Sequence, residues 1–205
     1  MTSRSQSVVR ALINDHGTTY AEAAGITLRD KPSPLYQLLV LTMLSSTRIS
    51  ADVAVRASRQ IFSAGWRTPT KMLDSTWQQR VDALGRGGYR RYDESTATKL
   101  AEGAKWVLDT CHGDLRRLRP ADHGGTDDLI AAIAESPRIG PVGARIFCRE
   151  VQDVWPEVSP FFDDRALDVA GRSGLPTDPG ELAGLAPPGR VAQLAAALVR
   201  KGLDG

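Results

Sequence analysis

The residues best suited to chemistry lie in one stretch, LIAAIAESPRIGPVGARIFCREVQDVWPEVSPFFDDRA, running from Leu129 to Ala166. Near its end stand two adjacent aspartates, Asp163 and Asp164, where a catalytic carboxylate could be presented. Upstream is a Gly-Pro-Val-Gly turn, Gly140 to Gly143. Glycine at 140 and 143 permits a positive φ or a close approach that other residues resist. A helix starting at such a turn offers backbone N–H groups to an anion. A phosphate held that way gives affinity without reading base sequence. The plainer reading is a simple helix hairpin followed by an aspartate that caps the next helix, a role for which Asp is favoured. On residue types alone both readings stay open.

Two further clusters carry polar chemistry. The loop LGRGGYRRYDE places Tyr89 among Arg86, Arg90 and Arg91, with Gly85, Gly87 and Gly88 loosening the backbone around it. An aromatic and arginines on such a loop suit a wedge with phosphate clamps for a nucleic acid; the alternative is a solvated basic turn whose Tyr89 packs on its own domain. The run Ser45, Ser46, Thr47, Arg48 follows the most apolar segment of the chain. It reads either as a capped loop or as a polar wall lining a cleft.

The elements that must position these residues are helices. Residues 3–15 carry Val8, Val9, Leu12 and Ile13 on one face. Residues 34–46 are apolar nearly all round, the pattern of a buried central helix. Residues 51–63 form an amphipathic helix capped by Ser50, and 68–84 two short helices entered at Thr68-Pro69 and Asp74-Ser75. A long helix spans 94–111, and DLRRLRPADHGG makes a basic turn after it. In the hairpin, 129–134 turns Leu129, Ile130 and Ile133 one way, and the second helix does the same with Ala144, Phe147, Val151 and Val154. Ile139 and Val142 are placed to plug the turn between them. A helix follows Asp163 to about Arg172, and the last covers 187–201. Neither a repeat nor an alternating strand pattern is present, so the fold class is all-α.

Composition bounds the rest. A chain of 205 residues with 41% hydrophobic and 24% charged residues is that of an ordinary globular protein with a sizeable core. A net charge of +2 is compatible with a nucleic-acid partner and does not by itself indicate one. Cys111 and Cys148 are too few to ligate an iron–sulfur cluster or a structural zinc, and His16, His112 and His123 show no ligand spacing. The first residues lack an apolar signal-peptide core, and the run Leu38–Leu44 is too short to span a membrane. The expectation is a soluble, intracellular, cytoplasmic protein with no membrane association.

In the order of its motifs the chain resembles the helix-hairpin-helix DNA glycosylases of the endonuclease III superfamily. IGPVGARIF matches that family's hairpin, and FFDDRALDVAGR the segment presenting its aspartate. SPLYQLLVLTMLSSTRISADVA is similar to its core helix and DNA-facing loop, and LGRGGYRRYDESTATKLAEGA to its wedge loop and next helix. The resemblance covers roughly residues 5–172. It implies a two-lobed helical glycosylase fold with the helix-hairpin-helix at about 129–154 and its turn at 139–143. One lobe, 34–125, would carry the wedge loop; 1–33 with 126–205 would form the other.

The resemblance also implies roles. Asp163 falls on the catalytic aspartate, with Asp164 the alternative one register on. Gly140, Val142, Gly143, Ala144 and Arg145 fall on the DNA-gripping hairpin. Tyr89 falls near the residue that fills the gap left by a flipped nucleotide, with Arg90, Arg91, Thr47 and Arg48 as further DNA contacts. Hairpin carbonyls near Ile139 and Val142 would be the place for a monovalent cation, and no other metal is implied. The departures matter as much. Arg145 stands where lyase members carry a Schiff-base lysine, and a guanidinium that stays protonated is a very poor nucleophile; Arg145 would instead clamp a phosphate or pair with Asp163. Pro141 replaces the hairpin's first glycine and removes one N–H. Thr47-Arg48 stands where a glutamine is common. The four-cysteine cluster loop is missing, so no cofactor is expected. The implied function is a monofunctional base-excision glycosylase acting as a monomer on double-stranded DNA in the nucleoid. The alternatives are a DNA-binding protein of the same fold without the chemistry, and a bifunctional enzyme using Lys99 or Lys105.

Overall fold

The structure, a computed structural model, describes residues 3–120 and 125–204; His123 and part of the basic turn before Gly125 fall outside them. Among the described residues every regular element is a helix. In chain order these are α1 (Ser3–His16), α2 (Tyr20–Ala23), α3 (Pro32–Ser45), α4 (Ala51–Ser63), α5 (Pro69–Leu73), α6 (Trp77–Arg86), α7 (Asp93–Cys111), α8 (Thr126–Ala134), α9 (Gly140–Val151), α10 (Asp164–Arg172), α11 (Pro179–Ala183) and α12 (Val191–Asp204). Short 3₁₀ turns lie at Leu115–Leu118 and Pro156–Val158. The chain divides into two units, Met1–Tyr20 with Cys148–Gly205, and Ala21–Phe147. The dividing lines therefore fall at 20/21 and inside α9, where the lobes read from sequence were parted at 33/34 and 125/126.

The unit Ala21–Phe147 is built on α3. Every residue from Leu38 to Leu44 is buried, as expected of a helix with no wet face. The helix starts at Pro32 and not at 34, because both prolines fit a first turn that has no use for their missing N–H. Helices α4 and α7 and the Leu115–Leu118 turn pack on it. Gly103 allows the α3–α7 approach, since a β-carbon there would sit 2.8 Å from Met43 Cε. Ser50, Thr68 and Thr76 cap α4, α5 and α6 through their hydroxyls, and Thr76 with Gln79 completes a capping box. Helix α8 begins at Thr126, three residues before the apolar pattern, with Asp127 and Asp128 in the first turn where the helix dipole favours them. A buried arginine joins three of these helices: Arg80 of α6 donates from Nε to the Ala97 carbonyl of α7 at 2.8 Å, and from Nη1 to the Met72 carbonyl of α5 at 3.4 Å and to the Ser75 carbonyl at 2.7 Å.

In the other unit α12 packs against α1 and α10. The core joins Val9, Leu12 and Ile13 of α1, Ala166, Val169 and Ala170 of α10, and Leu194, Ala195 and Leu198 of α12. Gly202 permits close contact, because a β-carbon there would lie 2.7 Å from Val169 Cγ2. Helix α12 starts at Val191, not 187. The Asp153 carboxylate accepts the Val191 and Ala192 N–H groups at 3.1 Å each, so a residue far off in sequence sets the start. In the Pro/Gly-rich link before it, Asp178 caps the short α11 with Pro179 in its first turn, which composition alone does not bring out.

The Arg80 cluster is open to test. Replacing Arg80 by Met leaves the Ala97 and Ser75 carbonyls without their donors, and is expected to cost about 2–4 kcal/mol in urea unfolding. A change below about 0.5 kcal/mol would show the buried guanidinium to be dispensable.

Candidate functional site

Asp163 stands immediately before α10 with extended backbone, the geometry of an N-cap. Its Oδ1 accepts the Ala166 N–H at 3.0 Å. Its Oδ2 accepts from Arg149 Nη1 at 2.6 Å, a charge-assisted bond. The Arg149 side chain is only 4% exposed and that of Asp163 18%, so the pair is nearly out of water. Arg149 Cζ also lies 5.5 Å from the centre of the Tyr20 ring. The capping role thus holds, and an ion pair is added to it. The partner is Arg149; Arg145, for which the sequence left open a phosphate clamp or a pairing with Asp163, is exposed one helical turn earlier. Asp164 is exposed in the first turn of α10.

The segment leading into Asp163 is tied by a side chain acting as a peptide, that of the residue just after α9. Gln152 donates from Nε2 to the Phe161 carbonyl at 2.9 Å, and its Oε1 accepts the Phe161 N–H at 2.8 Å. Gln152 Nε2 also donates to the Arg149 carbonyl at 3.0 Å. Arg149 in the last turn of α9 and Gln152 just beyond its end therefore fix both the chain before Asp163 and its carboxylate. Neither residue was singled out from sequence; the available signal was charged and amide residues set among the inward-facing Phe147, Cys148 and Val151.

The hairpin turn forms between α8 and α9. Gly140 takes a φ of +61°, and Arg138 a φ of +72° that is uncommon outside glycine. Gly140 meets nothing at its β-position, so it is there for its backbone angle. Gly143 is there for space, because a β-carbon would overlap Ser46 Oγ and lie 2.8 Å from Ile139 Cγ2. Ser46 Oγ itself donates to the Thr42 carbonyl at 2.7 Å, so the hairpin rests on the end of α3. Ile139 is buried as expected. Val142 is 75% exposed and does not plug the turn; its side chain points away from the core. Ala144 is buried, so the helical backbone is what it can offer a ligand. The first turn of α9 presents the N–H groups of Gly140, Val142 and Gly143, with Pro141 supplying none.

The expectation for Tyr89 is corrected. Its side chain is fully buried, and it cannot enter a nucleic acid. Its hydroxyl donates to the Leu44 carbonyl at 3.1 Å and lies 2.7 Å from Thr47 Oγ1. Thr47, half-buried, thereby has its hydroxyl engaged within its own unit. The glycines tighten this loop and do not loosen it: a β-carbon at Gly87 would run into the Ala57 backbone, and Gly88 has a φ of +83°. The accessible aromatic of the loop is Tyr92. The Arg91 and Arg138 guanidinium carbons lie 5.3 and 5.7 Å from its ring centre, and Arg138 Nη1 donates to Ser95 Oγ at 3.3 Å. Tyr92 therefore links this loop to the hairpin turn. Arg48, Arg86, Arg90 and Arg91 are all exposed.

Cys111 and Cys148 are both buried, and burial pushes the Cys111 thiol up to about 11. No group of three or more His, Cys, Asp or Glu gathers among the described residues. No helix among them is long and apolar enough to cross a membrane.

This arrangement is the all-helical fold of the helix-hairpin-helix DNA glycosylases. The chain is similar to endonuclease III in a trapped covalent intermediate with DNA, an estranged-adenine complex (TM-score 0.50, 15% identity over 97% of this chain and 85% of that one). It is similar to endonuclease III in a non-covalent DNA complex (TM-score 0.52, 14% identity, 97% and 85%). It is also similar to a thermostable thymine-DNA glycosylase (TM-score 0.55, 15% identity, 96% and 86%). No protein-family model matches the chain, and no curated protein does.

Tyr89 and Gly143 provide direct checks. Tyr89→Phe removes the hydroxyl from Leu44 and Thr47, and is expected to lower stability by about 1–2 kcal/mol while leaving DNA affinity unchanged. Gly143→Ala is expected to lower the thermal midpoint, with Ser46→Ala in the same chain recovering part of the loss. Equal midpoints for Gly143→Ala and the unaltered protein would contradict the close approach.

Proposed function

We propose that this protein is a DNA glycosylase of base-excision repair, hydrolysing the N-glycosidic bond of a flipped damaged or mismatched base with Asp163 as the catalytic carboxylate. The observation that carries the reading is Asp163, pinned by α10 and by buried Arg149 at the chain position where this fold's glycosylases, by resemblance, keep their aspartate. Breaking that bond builds positive charge on the sugar, and a fixed carboxylate stabilises it while water attacks. The base must first leave the stack, at a cost of a few kcal/mol that is least for a damaged or mismatched base.

The substrate is double-stranded DNA, bound by a monomer. Backbone amides of Gly140, Val142 and Gly143 grip one phosphate, weakened by the missing N–H of Pro141. Exposed Arg48, Arg90, Arg91 and Arg145 take others, and Tyr92 is the aromatic presented to the strand. The enzyme is monofunctional, since the Arg145 guanidinium forms no Schiff base with the sugar. It works without an iron–sulfur cluster, for which two cysteines are insufficient.

One observation favours a second reading, a DNA-binding protein without chemistry: both oxygens of Asp163 already have structural partners. The test is incubation with duplexes each carrying one alkylated purine, oxidised pyrimidine, uracil or mismatched adenine, resolved with and without alkali. Strand breaks only after alkali are the expected outcome for at least one lesion. Breaks without alkali, with borohydride trapping, would contradict the monofunctional assignment. Binding with no base release from any of them would favour the second reading.

A further inference from the structure

The loop before α7 and the hairpin turn meet at one aromatic ring. Tyr92, half-buried, has the Arg91 guanidinium carbon over it at 5.3 Å from the ring centre and that of Arg138 at 5.7 Å. Arg91 comes from the loop, and Arg138 from the turn, two residues before Gly140. A second tie fixes Arg138: its Nη1 donates to Ser95 Oγ at 3.3 Å, and that hydroxyl donates to the Tyr92 carbonyl at 3.1 Å. The backbone of Arg138 has a φ of +72°, a conformation that glycine adopts without strain and arginine does not.

Negative charge is what this junction lacks. Asp93, Glu94 and Glu135 are close in sequence, yet neither Arg91 nor Arg138 has a carboxylate partner among the described residues. The Nε of Arg138 is buried and has no acceptor among them. In the same unit Arg116 and Arg119 are satisfied by Asp114 and Asp30. The two guanidinium carbons lie no more than about 11 Å apart, the sum of their distances to the ring centre, so their repulsion is only partly screened. An aromatic ring attracts each cation but brings no net charge. A phosphate brings that charge, and guanidiniums suit its oxygens.

We propose that Arg91 and Arg138, spaced by Tyr92, form a clamp on the sugar–phosphate backbone of the strand that the hairpin amides grip, extending that track from the turn to the loop. This rests on the DNA-binding part of the reading above. Neither arginine reads a base, so the clamp adds affinity and register and leaves the choice of lesion to other groups. Tyr92 acts by fixing the two guanidiniums and not by stacking on a base.

The test uses a duplex with one tetrahydrofuran abasic site, its affinity followed by fluorescence anisotropy from about 50 to 200 mM salt. Each phosphate contact steepens the plot of log affinity against log salt by about 0.9. Arg138→Gly keeps the turn and removes the guanidinium; it is expected to flatten the slope by about one and weaken binding severalfold, as is Arg91→Gln. Arg138→Lys is expected to recover at least about half of the slope. Tyr92→Ala changes no charge and is nevertheless expected to flatten the slope; weaker binding at an unchanged slope would show the ring stacking on a base and overturn its assigned role. Neutral methylphosphonates, placed one at a time along each strand, locate the contact: one position is expected to weaken the unaltered protein and not Arg138→Gly. An Arg138 that only holds the turn would leave slope and methylphosphonate profile unchanged in Arg138→Gly, which overturns the proposal. Should that variant fail to fold, Arg91→Gln, at an exposed position outside any helix, decides by the same slope. Absent or salt-independent binding by the unaltered protein would overturn the DNA-binding reading, whereas salt-dependent binding with unchanged variants overturns the clamp alone.

Discussion

Burying a guanidinium costs more than almost any other side-chain burial unless a carboxylate meets it in good geometry. Arg149, 4% exposed, has that carboxylate in Asp163, 2.6 Å away. Because the same carboxylate caps α10, one contact joins two requirements: the charge inside α9 is compensated, and α10 has a defined first residue. Gln152 adds a third by pairing with the backbone of Phe161. The largely irregular stretch from Trp155 to Phe162 is thus held at its far end by Arg149 of α9 and by Gln152 just beyond that helix. The position of the proposed catalytic group follows from the packing of a helix and not from a loop's own preferences, which is what a preorganised charge requires.

In the unit Ala21–Phe147 the comparable constraint is the end of α3. Its last carbonyls and the polar residues after it receive Tyr89, seat Ser46 and, through Ser46, limit residue 143 to glycine. The apparent polar wall of a cleft is in part the hydrogen-bonding floor of the hairpin. Arg48, Arg90, Arg91, Arg145 and Val142 are exposed there, as are Ser50 and Glu135.

The helices were legible because apolar periodicity and cap residues act locally. Ala51–Ser63 agrees at both ends with the reading from Ser50 and the apolar spacing, and α7 differs by one residue at its start. Boundaries moved where a distant residue decides them, as Asp153 does for α12. The site was legible in type more than in partnership. Asp163, Gly140 and Gly143 stand out by residue type and spacing, but the pairing of Asp163 with Arg149 over Arg145 depends on which side of α9 faces inward. Tyr89 was misread for the same reason. An aromatic among glycines and arginines has the composition of an exposed tip, and only the close approach of Gly87 to Ala57 shows the loop folded inward. Tyr92, three residues on, carries the accessible ring with no distinguishing local signal.

The assignment of chemistry to one carboxylate is tested most directly by single-turnover base release from whichever lesion duplex the protein cleaves, comparing Asp163→Asn with Asp164→Asn at matched folded fraction. Loss of about a hundredfold or more in rate for Asp163→Asn, with Asp164→Asn close to the unaltered protein, is the result this account requires. Full activity in Asp163→Asn, or the loss falling on Asp164→Asn, would contradict it.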